Sequence, residues 1–211
     1  MHQSTTKLLS IASEPIAGPV GVTHDLNKWG PLGHELAEML NEKNGFYAYE
    51  SALLVRPLRN ARAPLGLLEW NAPKSWKADY VENLSDAFFF AEDVFGGQYC
   101  LREAKICAFD PETGVFEEMS SSLGAWANDV MSDYEFRTGY PLAHEWQIGK
   151  APLPLGMRLL PKTPFVCGGK YEVENLYSVA DVKGMLFRAS IANQIRDLPD
   201  GAEIVFKTTY I

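Results

Sequence analysis

Glu92 and Asp93 are the residues whose type and spacing come nearest to chemistry in this chain. Adjacent carboxylates can push one another's pKa up, as a general acid–base pair requires. In a strand, however, neighbouring side chains face opposite sides. Both could aim at one substrate only if the chain turned there, and Gly96-Gly97 supplies the turn residues. The four histidines, His2, His24, His34 and His144, show no H-x-x-x-H or Cys-neighbour spacing. His34-Glu35 lacks the second histidine of a zinc-peptidase helix. Neither G-x-S-x-G nor G-x-x-x-x-G-K-[ST] occurs, and Gly96-Gly97 and Gly168-Gly169 are not followed by a phosphate-cradling spacing. These readings predict no catalytic residues, no metal and no cofactor, and hence a protein that is not an enzyme.

The charge is placed unevenly. Phe88 to Glu135 holds ten acids against Arg102 and Lys105, which is the whole −8 of the chain. The acids are Glu92, Asp93, Glu103, Asp110, Glu112, Glu117, Glu118, Asp129, Asp133 and Glu135. So local an excess can set a surface field and select partners; the plainer reading is a solvated face that keeps the protein soluble. A sequence pI near 5.0 argues against a nucleic-acid binder, whose affinity comes from Lys and Arg neutralising phosphates. It argues equally against a polybasic membrane-surface protein. No apolar run approaches the roughly 20 residues that cross a bilayer, and the N-terminus falls short of a secretory signal. Cys100, Cys107 and Cys167 make no C-x-x-C and read as small core residues in a reducing cytoplasm.

The elements that must position these residues follow from periodicity and turn chemistry. Residues 1–30, with Pro15, Gly18, Pro19 and Gly21, read as an irregular arm, and 31–211 as one domain. Leu32, Leu36, Met39 and Leu40 make one face of a helix that Asn44-Gly45 ends. Strands are expected at Ser51–Arg56, Phe88–Phe90, Tyr99–Arg102, Lys105–Phe109 and Val115–Met119. The last three form a meander around the turn Asp110-Pro111-Glu112-Thr113-Gly114. Ser120 to Ser122 can cap a helix carrying Leu123, Trp126, Ala127, Val130 and Tyr134, with Gly139 closing it. A further helical stretch spans Pro141–Ile148. Arg158–Pro161 and Pro164–Cys167 read as strands, and Asp181–Arg196 as a central, buried helix. A final strand is expected at Glu203–Thr208. Trp126 and Trp146 sit on helical apolar faces, whereas Trp29, Trp70 and Trp76 lie in irregular segments where an aromatic could anchor a partner.

Several landmarks occur in order: a helix ending in Asn44-Gly45-Phe46, the block from Phe89-Phe90-Ala91-Glu92-Asp93 to Gly96-Gly97-Gln98-Tyr99, the Asp110–Gly114 turn and the Trp126 helix. Over roughly residues 31 to 137 this resembles the SUKH superfamily, which includes the yeast cell-wall regulator family and Syd-type bacterial proteins. The resemblance implies an α+β fold, a mixed, mostly antiparallel sheet with helices packed against it. It also implies a non-enzymatic, cytoplasmic immunity protein that binds and blocks a cognate, basic toxin, for instance a nuclease. On that expectation Glu92, Asp93, Glu112, Glu117, Glu118, Asp129 and Asp133 contribute to an acidic face, with Trp70 or Trp76 as anchors. The alternatives are a scaffold module without a toxin partner, and a small-molecule enzyme using Glu92 or Asp93.

Overall fold

In the computed structural model, residues 1–21, 24–59, 63–199 and 201–202 are described. Strands β1 (Phe46–Ala48), β2 (Leu53–Val55), β3 (Phe88–Glu92), β4 (Gln98–Arg102), β5 (Lys105–Asp110) and β6 (Val115–Ser120) form one sheet. Each pairs antiparallel with the next in sequence, so the sheet is a six-stranded meander. The strands β7 (Met157–Pro161) and β8 (Leu176–Ala180) form a second antiparallel pair. Helices α1 (Gln3–Ile11), α2 (Gly30–Glu42), α3 (Leu67–Trp70), α4 (Leu123–Ser132), α5 (Tyr134–Thr138), α6 (Tyr140–Ile148) and α7 (Asp181–Ile195) complete an α+β fold.

The period-2 geometry of β3 explains the Phe88-Phe89-Phe90 run, because successive side chains leave a strand on opposite faces. Phe88 and Phe90 enter a core with Leu8 of α1, Leu36 and Leu40 of α2, and Trp126 of α4. Phe89 enters the other core with Trp70, Trp76, Phe109, Met185 and Ala189. The sheet is therefore covered on both sides, and a strand buried on both faces reads as a continuous apolar run. A third core, just past the end of β3, joins Val94, Ala143, Trp146, Leu159 and Leu176.

Local chemistry sets the element ends. Ser122 accepts the Ala125 N–H at 3.1 Å, as expected of the N-cap of α4. Gly45 adopts φ +71°, and a Cβ there would lie 2.5 Å from the Pro57 nitrogen. The Asn44 side chain pins the same corner by donating to the Gly18 carbonyl at 2.6 Å and accepting the Leu58 N–H at 2.9 Å.

Three expectations are corrected, and a fourth falls outside the described residues. The N-terminal arm is not irregular throughout: Gln3–Ile11 is helical, and Leu8, Val20 and Leu26 are buried in the same core as α2 and α4. Lys43 holds α1 in place through the carbonyls of Leu9 (2.9 Å) and Ser13 (2.8 Å), a long-range cap that periodicity does not reveal. Phe165–Cys167 is a turn of 3₁₀ helix rather than strand, because Gly168 reverses the chain at φ +83°. Helix α7 is buried on one side only, through Met185, Ala189 and Ala192, while Leu186 and Phe187 are exposed. The strand expected at Glu203–Thr208 lies outside the described residues.

Candidate functional site: an acidic, aromatic-walled cleft

Although Glu92 and Asp93 are neighbours, the structure gives them opposite surroundings. Glu92 ends β3 at 1% exposure. One carboxylate oxygen accepts Arg56 Nη2 at 2.9 Å and Gln98 Nε2 at 2.8 Å; the other accepts Arg158 Nε at 2.7 Å. Arg56 also donates to Asp181 at 2.9 Å, at the start of α7. Its guanidinium lies 3.4 Å from the Trp70 ring centroid, and the Trp70 Nε1 donates to Gln98 Oε1 at 3.0 Å. Burial pushes the Glu92 carboxyl up, but the two guanidiniums outweigh it and hold the group at about 2. This network ties the large sheet to β7 and α7. It leaves Glu92 neither a proton to donate nor a surface to present.

Past Glu92 the chain leaves the strand. Asp93 Oδ1 accepts the N–H groups of Phe95 and Gly97, each at 2.8 Å, which folds the β3–β4 connection back on itself. A Cβ on Gly97 would come within 2.4 Å of the Asp93 carboxylate, so the second glycine is needed for this close approach. Burial raises the Asp93 carboxyl to about 7, against the opposing pull of the Gly97 N–H and of Arg188.

Asp93 faces a cleft of about 1100 Å³. Its walls come from the β3–β4 and β5–β6 turns, the α5–α6 junction, the 165–171 segment and α7. Five of the ten clustered acids line it: Asp93, Asp110, Glu112, Glu117 and Glu135. Glu112 is nearly buried and accepts the Val166 N–H at 2.9 Å; burial raises its carboxyl too. Asp110, Glu117 and Glu135 are exposed. Apolar side chains interleave with these acids in the open: Val115 is 61% exposed, Tyr171 64% and Phe136 76%. Phe165 and Tyr171 stack with ring centroids 3.9 Å apart, and Phe95 meets both edge-on. Arg188 of α7, 2% exposed, reaches the lining with Nη2 on the carbonyls of Phe95 and Leu159.

The site residues expected from sequence therefore separate into three groups. Asp93, Glu112 and Glu117 share the cleft. Glu118, Asp129 and Asp133 do not: Glu118 turns away to pair with Lys105 at 2.6 Å, and the other two lie on and beyond α4, apart from the lining. Glu92, Trp70 and Trp76 are corrected, since all three are buried. Trp70 is wholly enclosed under α7 and Trp76 packs edge-on to Phe89 and Tyr80, so neither indole is presented to a partner. Residues from the second half of the chain (Phe165, Tyr171 and Arg188) were not selected from sequence. The one available signal was an arginine within the apolar helix Asp181–Ile195. Among the described residues no group of three His, Cys, Asp or Glu side chains is placed to hold a metal ion. No described helix is long and apolar enough to cross a membrane.

The fold and the cleft define an α+β protein with a sequential antiparallel meander, covered on both faces. No protein-family profile matches the chain, and no curated protein matches it. It is similar to the crystal structure of Atu4351 from Agrobacterium tumefaciens, with a TM-score of 0.60 over 90% of this chain and 88% of that one. The two sequences are 14% identical, so the likeness is one of fold.

Proposed function

We propose that this chain is a non-enzymatic binding domain whose acidic cleft receives a basic face of a protein partner. The observation that carries the reading is the alternation, around one cleft, of five carboxylates with exposed Val115, Phe136 and Tyr171. Rim carboxylates steer a cationic partner and exclude nucleic acid from it, while apolar groups desolvated at the centre supply affinity. The resemblance to the SUKH superfamily supplies the partner class. A bacterial toxin with a basic groove, a nuclease among them, would be blocked by a domain occupying that groove.

The test is co-expression with a toxin encoded beside this gene. Rescue of growth, together with association that weakens steeply between about 0.1 M and about 1 M salt, is the expected result. Equal affinity at low and high salt would sink the electrostatic mechanism, and failure to rescue would sink the immunity reading.

A further inference from the structure

The two ends of the cleft differ. At the outer rim, Glu117, Glu135 and Phe136 are open to solvent. At the inner end, the stacked Phe165–Tyr171 pair and the edge-on Phe95 form an aromatic wall beside Asp93, Asp110 and Glu112. Those three carboxylates lie near enough to the Tyr171 hydroxyl to add to the effect of burial in raising it, Glu112 most strongly and then Asp110 and Asp93. Arg137 and Arg188 also line the cleft, two cations against five carboxylates, so the lining keeps an excess of negative charge.

Arg188 adds an independent observation. Its residue is 98% enclosed and its Nη2 is satisfied by two carbonyls. Both of these bonds use Nη2, and the side chain reaches the cleft lining. Glycines at 96 and 184 leave Nη1 its space, since a Cβ at either would approach within 3.1 or 3.0 Å. A guanidinium carries five N–H donors, so a ligand oxygen seated at the lining would accept from it. The surrounding acids disfavour an anion there, so a neutral carbonyl oxygen is the fitting acceptor.

We infer that the inner end of the cleft takes one lysine or arginine side chain from the partner. Its stem lies on the Tyr171 ring and its charge among Asp93, Asp110 and Glu112, while Arg188 donates to a main-chain carbonyl of the same segment. This rests on the cleft being the partner site and names the element that fills it. A basic side chain matches both features, because its aliphatic stem packs on aromatic surface while its head group is drawn to ring faces and carboxylates. A bare divalent ion does not match, since the described acids form no ligand cluster. A free amine does not match either, for the cleft of about 1100 Å³ continues past the inner end to Phe136 and Val115.

The test uses the whole chain and four probes: the N-acetyl N-methylamides of arginine, lysine, glutamate and leucine. Binding is followed by NMR at the Gly97 amide and the Tyr171 ring. Saturable shifts with the two basic probes, absent with glutamate and leucine, are expected. Tyr171→Ala, at an exposed ring, should weaken the basic probes by about fivefold or more while leaving the melting temperature unchanged. Glu112→Gln, whose amide oxygen can still accept the Val166 N–H, should weaken them as well. Equal shifts from leucine, or binding untouched by both substitutions, would overturn the inference. Growth rescue undiminished in Tyr171→Ala would overturn the basic-side-chain pocket alone and leave the binding reading standing. Specific probe binding without any rescue would leave the pocket standing and remove the toxin.

Discussion

Arg158 on β7 donates its Nε to Glu92 on β3 at 2.7 Å, 66 residues away in sequence, with both side chains 1% exposed. The pair joins the two sheets, and Arg56 completes it on the other carboxylate oxygen. Removing one partner of a buried ion pair strands the rest of the charge in a medium that solvates it poorly. Glu92→Ala should therefore cost about 3–5 kcal/mol of unfolding free energy, read by urea denaturation. A loss below about 1 kcal/mol would show that water reaches the network.

The same carboxyl gives a pH signature. Its folded pKa, about 2, is below its ordinary 4.5, so the unfolded chain binds the proton first as pH falls. Its contribution to stability is complete above about 4.5 and is lost as pH falls through 2. Glu92→Gln should flatten the acid limb of a stability–pH curve over that window.

Asp93 acts with the opposite sign. Its carboxyl is raised from 3.8 to about 7, so the folded chain holds the proton longer and stability falls as pH rises through that interval. Asparagine keeps the side-chain oxygen that accepts the Phe95 and Gly97 N–H groups. Asp93→Asn should leave the turn intact and remove this part of the decline, as seen by comparing denaturation midpoints of the two proteins from pH 4 to pH 8.

Lys43 ties down α1 through the Leu9 and Ser13 carbonyls, acting as a cap supplied from 30 or more residues away. Lys43→Met keeps the aliphatic stem and deletes the donors. A loss of about 0.5–2 kcal/mol is expected, as for other helix caps. Amide exchange should quicken in residues 3–11 and stay unchanged in β4 and β5.

Cys100 and Cys107 face each other across β4 and β5, on the side covered by Trp76 and α7. Burial pushes both thiols up, Cys100 far more, whereas Cys167 lies partly open on the 165–167 turn. A thiol reagent applied to the native protein should modify Cys167 first and reach Cys100 only on unfolding. Early labelling of Cys100 would contradict the packing of that face.

Much of the scaffold was legible because its signals are local. The Phe88–Phe90 run, the Asp110–Gly114 turn, the Ser122 cap and the Asn44-Gly45 corner each act within a few residues, and the structure places strand, turn, helix start and helix end there. Residues 3–11 escaped because α1 draws its stability from burial of Leu8 and from the Lys43 cap, both long-range. The candidate site divides along the same line. Charge counting located the acids between Phe88 and Glu135, and by itself the sequence determined that the excess negative charge is concentrated there. Only the tertiary structure decided which acids share a surface. It buried Glu92 against Arg56 and Arg158, turned Asp93 outward one residue later, and carried Tyr171 and Arg188 to the acids from the second half of the chain. Composition fixes how much charge a segment carries, whereas its dielectric surroundings and neighbours depend on contacts between residues far apart in the chain.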